Sequence, residues 1–124
     1  MADELEDLRN RLRLFADDRD WQQFHTPRNL ALALAGEVGE LAAVLQWLTD
    51  EEAGVLSPRT RDQLADEVAD ILIYLVRFAD VVGLDPLAEA HKKIARNEQR
   101  YPPDRFHGTA PERSGRNGPS GNQE

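Results

Sequence analysis

Thr26-Pro27-Arg28-Asn29-Leu30-Ala31-Leu32-Ala33-Leu34-Ala35-Gly36-Glu37-Val38-Gly39-Glu40-Leu41-Ala42-Ala43-Val44-Leu45 decides the fold class. A threonine hydroxyl accepts from the free backbone N–H groups of a helix start. Proline suits the first helical position because its missing N–H would be unpaired there anyway. Leu30, Leu34, Val38, Leu41, Val44, Leu45 and Leu48 then recur by threes and fours. That spacing puts one apolar face on a helix running from Pro27 to about Asp50.

The same cap-and-proline signal recurs at Ser57-Pro58 and at Asp85-Pro86. The first opens a helix through Leu64, Val68, Ile71, Leu72, Leu75 and Phe78 to about Val82, with Gly83 as its C-terminal stop. The second opens a helix that ends near Arg100, because Tyr101 is followed by Pro102-Pro103. Upstream, Leu5, Leu8, Leu12 and Phe15 predict an amphipathic helix over residues 3–24, ending on Trp21 and Phe24. Thr49 to Leu56, with Gly54 and three acidic residues, reads as a loop. No segment alternates as a strand does. The expectation is an all-α, four-helix bundle-like domain over residues 1–103. A disordered tail, rich in Gly, Pro, Ser, Asn and Arg, is expected over residues 104–124.

The chain has 124 residues, a net charge of −8 and a pI of about 4.9. Such acidity argues against a general nucleic-acid binder, which needs a basic surface to displace counterions from phosphates. It leaves room for a small phosphorylated ligand, because bound cations reverse the local field. There is no cysteine, so disulfides, thiolate chemistry and Cys-ligated zinc are excluded. The acidic N-terminus lacks the pattern of a signal peptide, and no run approaches the roughly 20 apolar residues of a membrane span. A cytoplasmic location is expected.

Two acidic pairs resist a reading as ordinary solvated surface. Glu37 and Glu40 are three apart in one helix, and Glu67 and Asp70 are three apart in the next, so each pair shares a helix face. Glu37 and Glu40 are the sole charged residues between Leu30 and Leu48, with no Lys or Arg within a turn to offset their repulsion. Gly36 and Gly39 flank them, at about 1 kcal/mol each relative to alanine. That cost suggests that another helix or a ligand comes close to the backbone. If the two helices pack antiparallel, four carboxylates converge. An all-oxygen set favours Mg²⁺ or Mn²⁺, and Mg²⁺ completes its shell with waters and substrate phosphates. A di-iron bundle would use Glu-x-x-His ligands, and His25, His91 and His107 lie elsewhere.

Gly36-Glu37-Val38-Gly39-Glu40-Leu41, Asp66-Glu67-Val68-Ala69-Asp70-Ile71-Leu72 and Lys93-x-x-x-Asn97-x-x-Arg100-Tyr101-Pro102 together resemble the MazG-like all-α nucleotide pyrophosphatases. Arg19-Asp20-Trp21-x-x-Phe24-His25-x-Pro27-Arg28-Asn29-Leu30 is similar to the dCTP pyrophosphatase branch in particular. The resemblance spans about residues 5–103. It implies Mg²⁺-dependent hydrolysis of nucleoside triphosphates, of dCTP or modified pyrimidine deoxynucleotides, to the monophosphate and pyrophosphate. Glu37, Glu40, Glu67 and Asp70 are then the metal ligands, with Glu40 a candidate to orient the attacking water. Lys93, Asn97 and Arg100, which share a helix face, are implied to contact phosphates or sugar. Trp21, His25, Trp47 and Tyr74 are candidates for the base and sugar pocket, since aromatic faces stack on bases. Where some members of the branch carry a histidine near the base, the first helix reads Leu12-Arg13 here. A homodimer or homotetramer is implied. The other reading is a non-catalytic nucleotide-sensing or protein-binding module on the same scaffold, and the intact acidic set argues against it.

Overall fold

A computed structural model describes residues 3–109, and among them every regular element is helical. The chain divides into two compact units, Met1–Pro86 and Leu87–Glu124. The first contains α1 (Glu4–Asp18), a 3-10 turn (Gln22–Phe24), α2 (Pro27–Leu45), α3 (Asp50–Gly54) and α4 (Pro58–Val82). α5 (Pro86–Arg100) opens at the boundary, and α6 (Pro103–Phe106) belongs to the second unit.

Two of the caps read from sequence, at Thr26 and Ser57, are made. Thr26 Oγ1 accepts from Asn29 N at 3.1 Å, and Ser57 Oγ accepts from Thr60 N at 3.2 Å. Each satisfies a backbone donor that the first helical turn leaves open. Gly83 closes α4 with φ of 77°, a left-handed conformation that glycine adopts without a Cβ clash.

Three expectations change. The first helix does not run to residue 24. Asp20 turns left-handed at φ 54°, Asp20 N bonds Asp17 O, and Trp21 N bonds Ala16 O. This is the paired-bond closure of a helix end, with aspartate in the position usually held by glycine. The stretch read as a loop contains α3. There Thr49 Oγ1 accepts from Glu52 N while Glu52 Oε1 accepts from Thr49 N, a reciprocal capping box. α2 accordingly stops at Leu45 and not near Asp50. Finally, the boundary read at 103/104 falls inside α6, whose Phe106 ring meets Tyr101 edge-on at 5.1 Å. The rest of the expected tail, 110–124, lies outside the described residues.

In the first unit α2 packs along α4, and α1 packs on α4. His25, just before α2, bonds Arg77 late in α4, while Glu37 in mid-α2 meets Glu67 in mid-α4. The two helices therefore run antiparallel. The buried core is small: Ala16, Leu30, Val76 and Ala79. Leu30, 2% exposed, is its largest member, and burying such a side chain contributes about 2 kcal/mol. Leu14, Leu32, Val68 and Leu72 stay exposed on the same helices. Among the described residues no helix is long and apolar enough to cross a membrane.

Candidate active site

Glu37 from α2 and Glu67 and Asp70 from α4 bring one carboxylate oxygen each to within 4.8 Å of one another. All three are half-buried. The Oε2 atoms of Glu37 and Glu67 are shut off from solvent with no hydrogen-bond donor. Ionised carboxylates only accept, so two of them facing each other need a shared proton or a cation. Burial, then hydrogen bonding to Glu37, then the charge of Glu40 push Glu67 up to about 7. At Glu37 the contact with Glu67 pulls the pKa down, but burial and the charges of Glu40 and Asp70 outweigh it and the net direction is up. Shielded oxygens without donors, in an all-oxygen set, fit a hard divalent cation.

Glu40 lies one turn beyond Glu37 and is exposed, outside the group of three oxygens. Gly36 and Gly39 do not serve close helix packing among the described residues. A Cβ at either would meet nothing within 4 Å.

Beside the carboxylates lies a cleft of about 340 Å³ lined chiefly by apolar groups. Asp70, one turn before Tyr74 on α4, lines it as well as joining the acidic cluster. Trp21, His25 and Tyr74 line it, and Trp47 does not. Trp47 sits in the turn after α2 and is 85% exposed. The aromatic wall is built by the end of α1: Phe15 meets Trp21 edge-on at 5.7 Å, and Trp21 meets His25 at 6.4 Å. Arg19 stacks over Phe15 at 3.7 Å and bonds its carbonyl. Asn29 Nδ2 donates to Phe24 O at 3.0 Å and so holds the segment that carries His25. Leu12 faces the cleft as an apolar residue.

Sequence reasoning missed Arg77 and Asp80. Arg77 lines the cleft, is buried, and donates from Nε to His25 Nδ1 at 3.0 Å. Its Nη1 reaches Asp80 Oδ2 at 3.3 Å. Arg13 on α1 donates to the same carboxylate from Nε at 2.7 Å and from Nη2. Burial first, and then the Arg77 charge, lower the pKa of His25. Arg13 holds Asp80 below its ordinary value against the opposing effect of burial. One signal was available: Arg77 is the sole charged residue between Ile71 and Ala79.

Lys93, Asn97 and Arg100 lie on α5 in the second unit. Lys93 and Arg100 are exposed and Asn97 is half-buried. The guanidinium of Arg100 lies 5.3 Å from the centre of the Tyr101 ring.

Residues 34–114 match the MazG-like family model. The chain is 50% identical over 108 residues to dCTP pyrophosphatase 1 of Bos taurus, covering 86% of this chain and 64% of that one. It is 51% identical over 100 residues to dCTP pyrophosphatase 1 of Homo sapiens, covering 79% of this chain and 59% of the other. It thus spans about three-fifths of the length of these curated relatives. A pyrophosphatase from Archaeoglobus fulgidus DSM 4304, known by crystal structure, superposes with a TM-score of 0.78 at 36% identity. That match covers 82% of this chain and 95% of the other. With a family match over most of its length, half-identical relatives and a shared fold, the chain belongs to the MazG-like family.

Proposed function

We propose that this chain is a Mg²⁺-dependent nucleoside triphosphate pyrophosphohydrolase that cleans the nucleotide pool, acting on dCTP or modified pyrimidine deoxynucleotides. Water is consumed, the bond between the α and β phosphates breaks, and the products are the monophosphate and pyrophosphate. The observation that carries this reading is Asp70, shared between the carboxylate cluster and the aromatic-lined cleft. A triphosphate at the cluster would have its base within the cleft. The name borne by the half-identical relatives supports the choice of dCTP.

Glu37, Glu67 and Asp70 would hold the metal. Bound there, Mg²⁺ supplies charge neutralisation for the triphosphate and for the developing negative charge. Glu40, exposed one turn away, orients or deprotonates the attacking water. Trp21 and Tyr74 stack or flank the base. Lys93, Asn97 and Arg100 are assigned to phosphate and sugar from their motif. The exposed Leu14, Leu32, Val68 and Leu72 support assembly into a homodimer or homotetramer. The reading includes a cytoplasmic setting, where the nucleotide pool is.

The test is incubation with a panel of canonical and 5-substituted triphosphates, with Mg²⁺ or EDTA, and separation of the products. Metal-dependent release of monophosphate and pyrophosphate, fastest with dCTP or its 5-substituted forms, is the expected result. The same products with another base would keep the chemistry and discard the base assignment. A folded, metal-loaded sample that binds nucleotide without turnover would favour a nucleotide sensor.

A further inference from the structure

Resting on the hydrolase reading of the cleft, we propose that Arg77 is a positioning residue. Anchored by Asp80, it fixes His25 in the tautomer that carries its proton on Nε2, so that the cleft offers a hydrogen-bond donor to a carbonyl oxygen of the base.

A guanidinium has donors and no acceptor. The 3.0 Å contact from Arg77 Nε therefore obliges His25 Nδ1 to accept. An imidazole that accepts at Nδ1 is neutral and bears its single N–H at Nε2. Burial and the adjacent cation act in the same direction, since both disfavour the imidazolium. His25 is not occupied as a helix cap, a role that Thr26 fills.

The relay behind it is rigid. Arg77 and Asp80 lie one turn apart on α4, with side chains 10% and 9% exposed. Arg13 approaches Asp80 from α1 with two donors, so the carboxylate is held between arginines of different helices. α1, α4 and the segment before α2 are thereby tied together at the wall of the cleft.

The polar groups lining the cleft belong to Trp21, whose indole N–H only donates, and to His25, Arg77, Tyr74 and Asp70. Arg77 cannot accept, and the carboxylate of Asp70 belongs to the acidic cluster. Leu12 and Ile73 supply no polar group. A base edge presenting a carbonyl matches this donor-weighted lining better than one presenting an amino group alone.

The experiment begins with two-bond ¹H–¹⁵N spectra of His25 in the full-length, ¹⁵N-labelled, nucleotide-free protein. Wild type is compared with Arg77→Met, which keeps the apolar stem, and with Arg77→Lys, which restores a donor and a charge. KM and kcat are then measured with the best triphosphate substrate. The expected result is an Nε2–H signature in the wild type that is lost in Arg77→Met. KM should rise about tenfold, the worth of one well-made hydrogen bond, with kcat changed much less. Arg77→Lys should recover part of both effects, and Arg77→Met should add nothing in a His25→Ala background. A wild-type His25 protonated on Nδ1 overturns the proposal even if no variant folds. A folded Arg77→Met protein with unchanged tautomer and KM overturns it too. An Nε2–H signature lost in Arg77→Met, in a protein that turns over no triphosphate, would support the relay and defeat the hydrolase reading instead.

Discussion

Glu67 stands opposite Glu37 across the α2–α4 seam, and the Oε2 atom of each is shielded from solvent without a donor. Two helices that pack well elsewhere thus meet at a point of mutual repulsion. Without a cation, the cheapest relief is a proton on Glu67, whose pKa burial and its acidic neighbours push up to about 7. Metal binding must then expel that proton. Mg²⁺ or Mn²⁺ affinity should fall as pH drops below about 7, with proton uptake by the buffer on binding. Titration calorimetry in two buffers of unlike ionisation enthalpy measures this directly. Glu67→Gln should remove the buffer dependence, and a wild type with none would sink the account.

The same raised pKa sets the sign of a stability effect. A carboxyl raised from 4.5 to about 7 on folding contributes stability that is complete below its unfolded pKa and lost as pH rises through about 7. The metal-free protein should therefore lose stability across that window, and saturating Mg²⁺ should abolish the loss. Urea melts across the window, with EDTA and with metal, give the comparison.

Glu40 and Glu37 should separate binding from chemistry. Glu37 belongs to the converging oxygens and Glu40 does not. Glu37→Gln should lower metal affinity at least about tenfold, as loss of groups at metal sites commonly does. Glu40→Gln should bind metal nearly as the wild type does while kcat collapses. Equal losses of affinity in both variants would put Glu40 among the ligands.

How much of this was legible follows from how local each cause is. Thr26-Pro27 and Ser57-Pro58 announce their helices because a cap and a proline act within one turn. The two acidic pairs were visible because a shared helix face needs just the i, i+3 spacing. The break at Asp20 was not, since an aspartate takes the left-handed role usually played by glycine. Thr49 and Glu52 carry the capping-box spacing of α3, yet Gly54 and the acidic run read as a loop, although such a run suits the positive end of a helix. The contact of Arg77 with His25 joins residues 52 apart in sequence, and only the antiparallel pairing of α2 and α4 brings them together. Trp47, close in sequence to the glutamates, lies past the end of α2 and is not among the residues that line the described cleft.

Asp80 should govern part of the acid limb of stability. Arg13 and Arg77 depress its pKa, so its contribution is present above 3.8 and is lost as pH falls through the lower folded value. Asp80→Asn should flatten that limb and cost about 3 kcal/mol at neutral pH, because it leaves the buried Arg77 without its carboxylate. Arg13→Ala should cost less, since Arg13 is half exposed and Asp80 keeps Arg77. Denaturant melts as a function of pH order the three proteins, and a larger loss for Arg13→Ala would contradict the arrangement.

Gly36 and Gly39 make a final test of what surrounds the acidic helix. A Cβ at either position meets nothing within 4 Å, so none of the described residues opposes alanine there. Each Gly→Ala change should then stabilise α2 by about 1 kcal/mol and raise the melting temperature by about 4 °C. Melts over a range of protein concentrations, read beside a sedimentation profile, keep the helix effect apart from assembly. A higher, concentration-independent melting temperature with unchanged association means that the glycines face open solvent or ligand. A lower melting temperature coupled to dissociation would instead mean that a second copy packs its backbone against this face, where an added methyl cannot be accommodated.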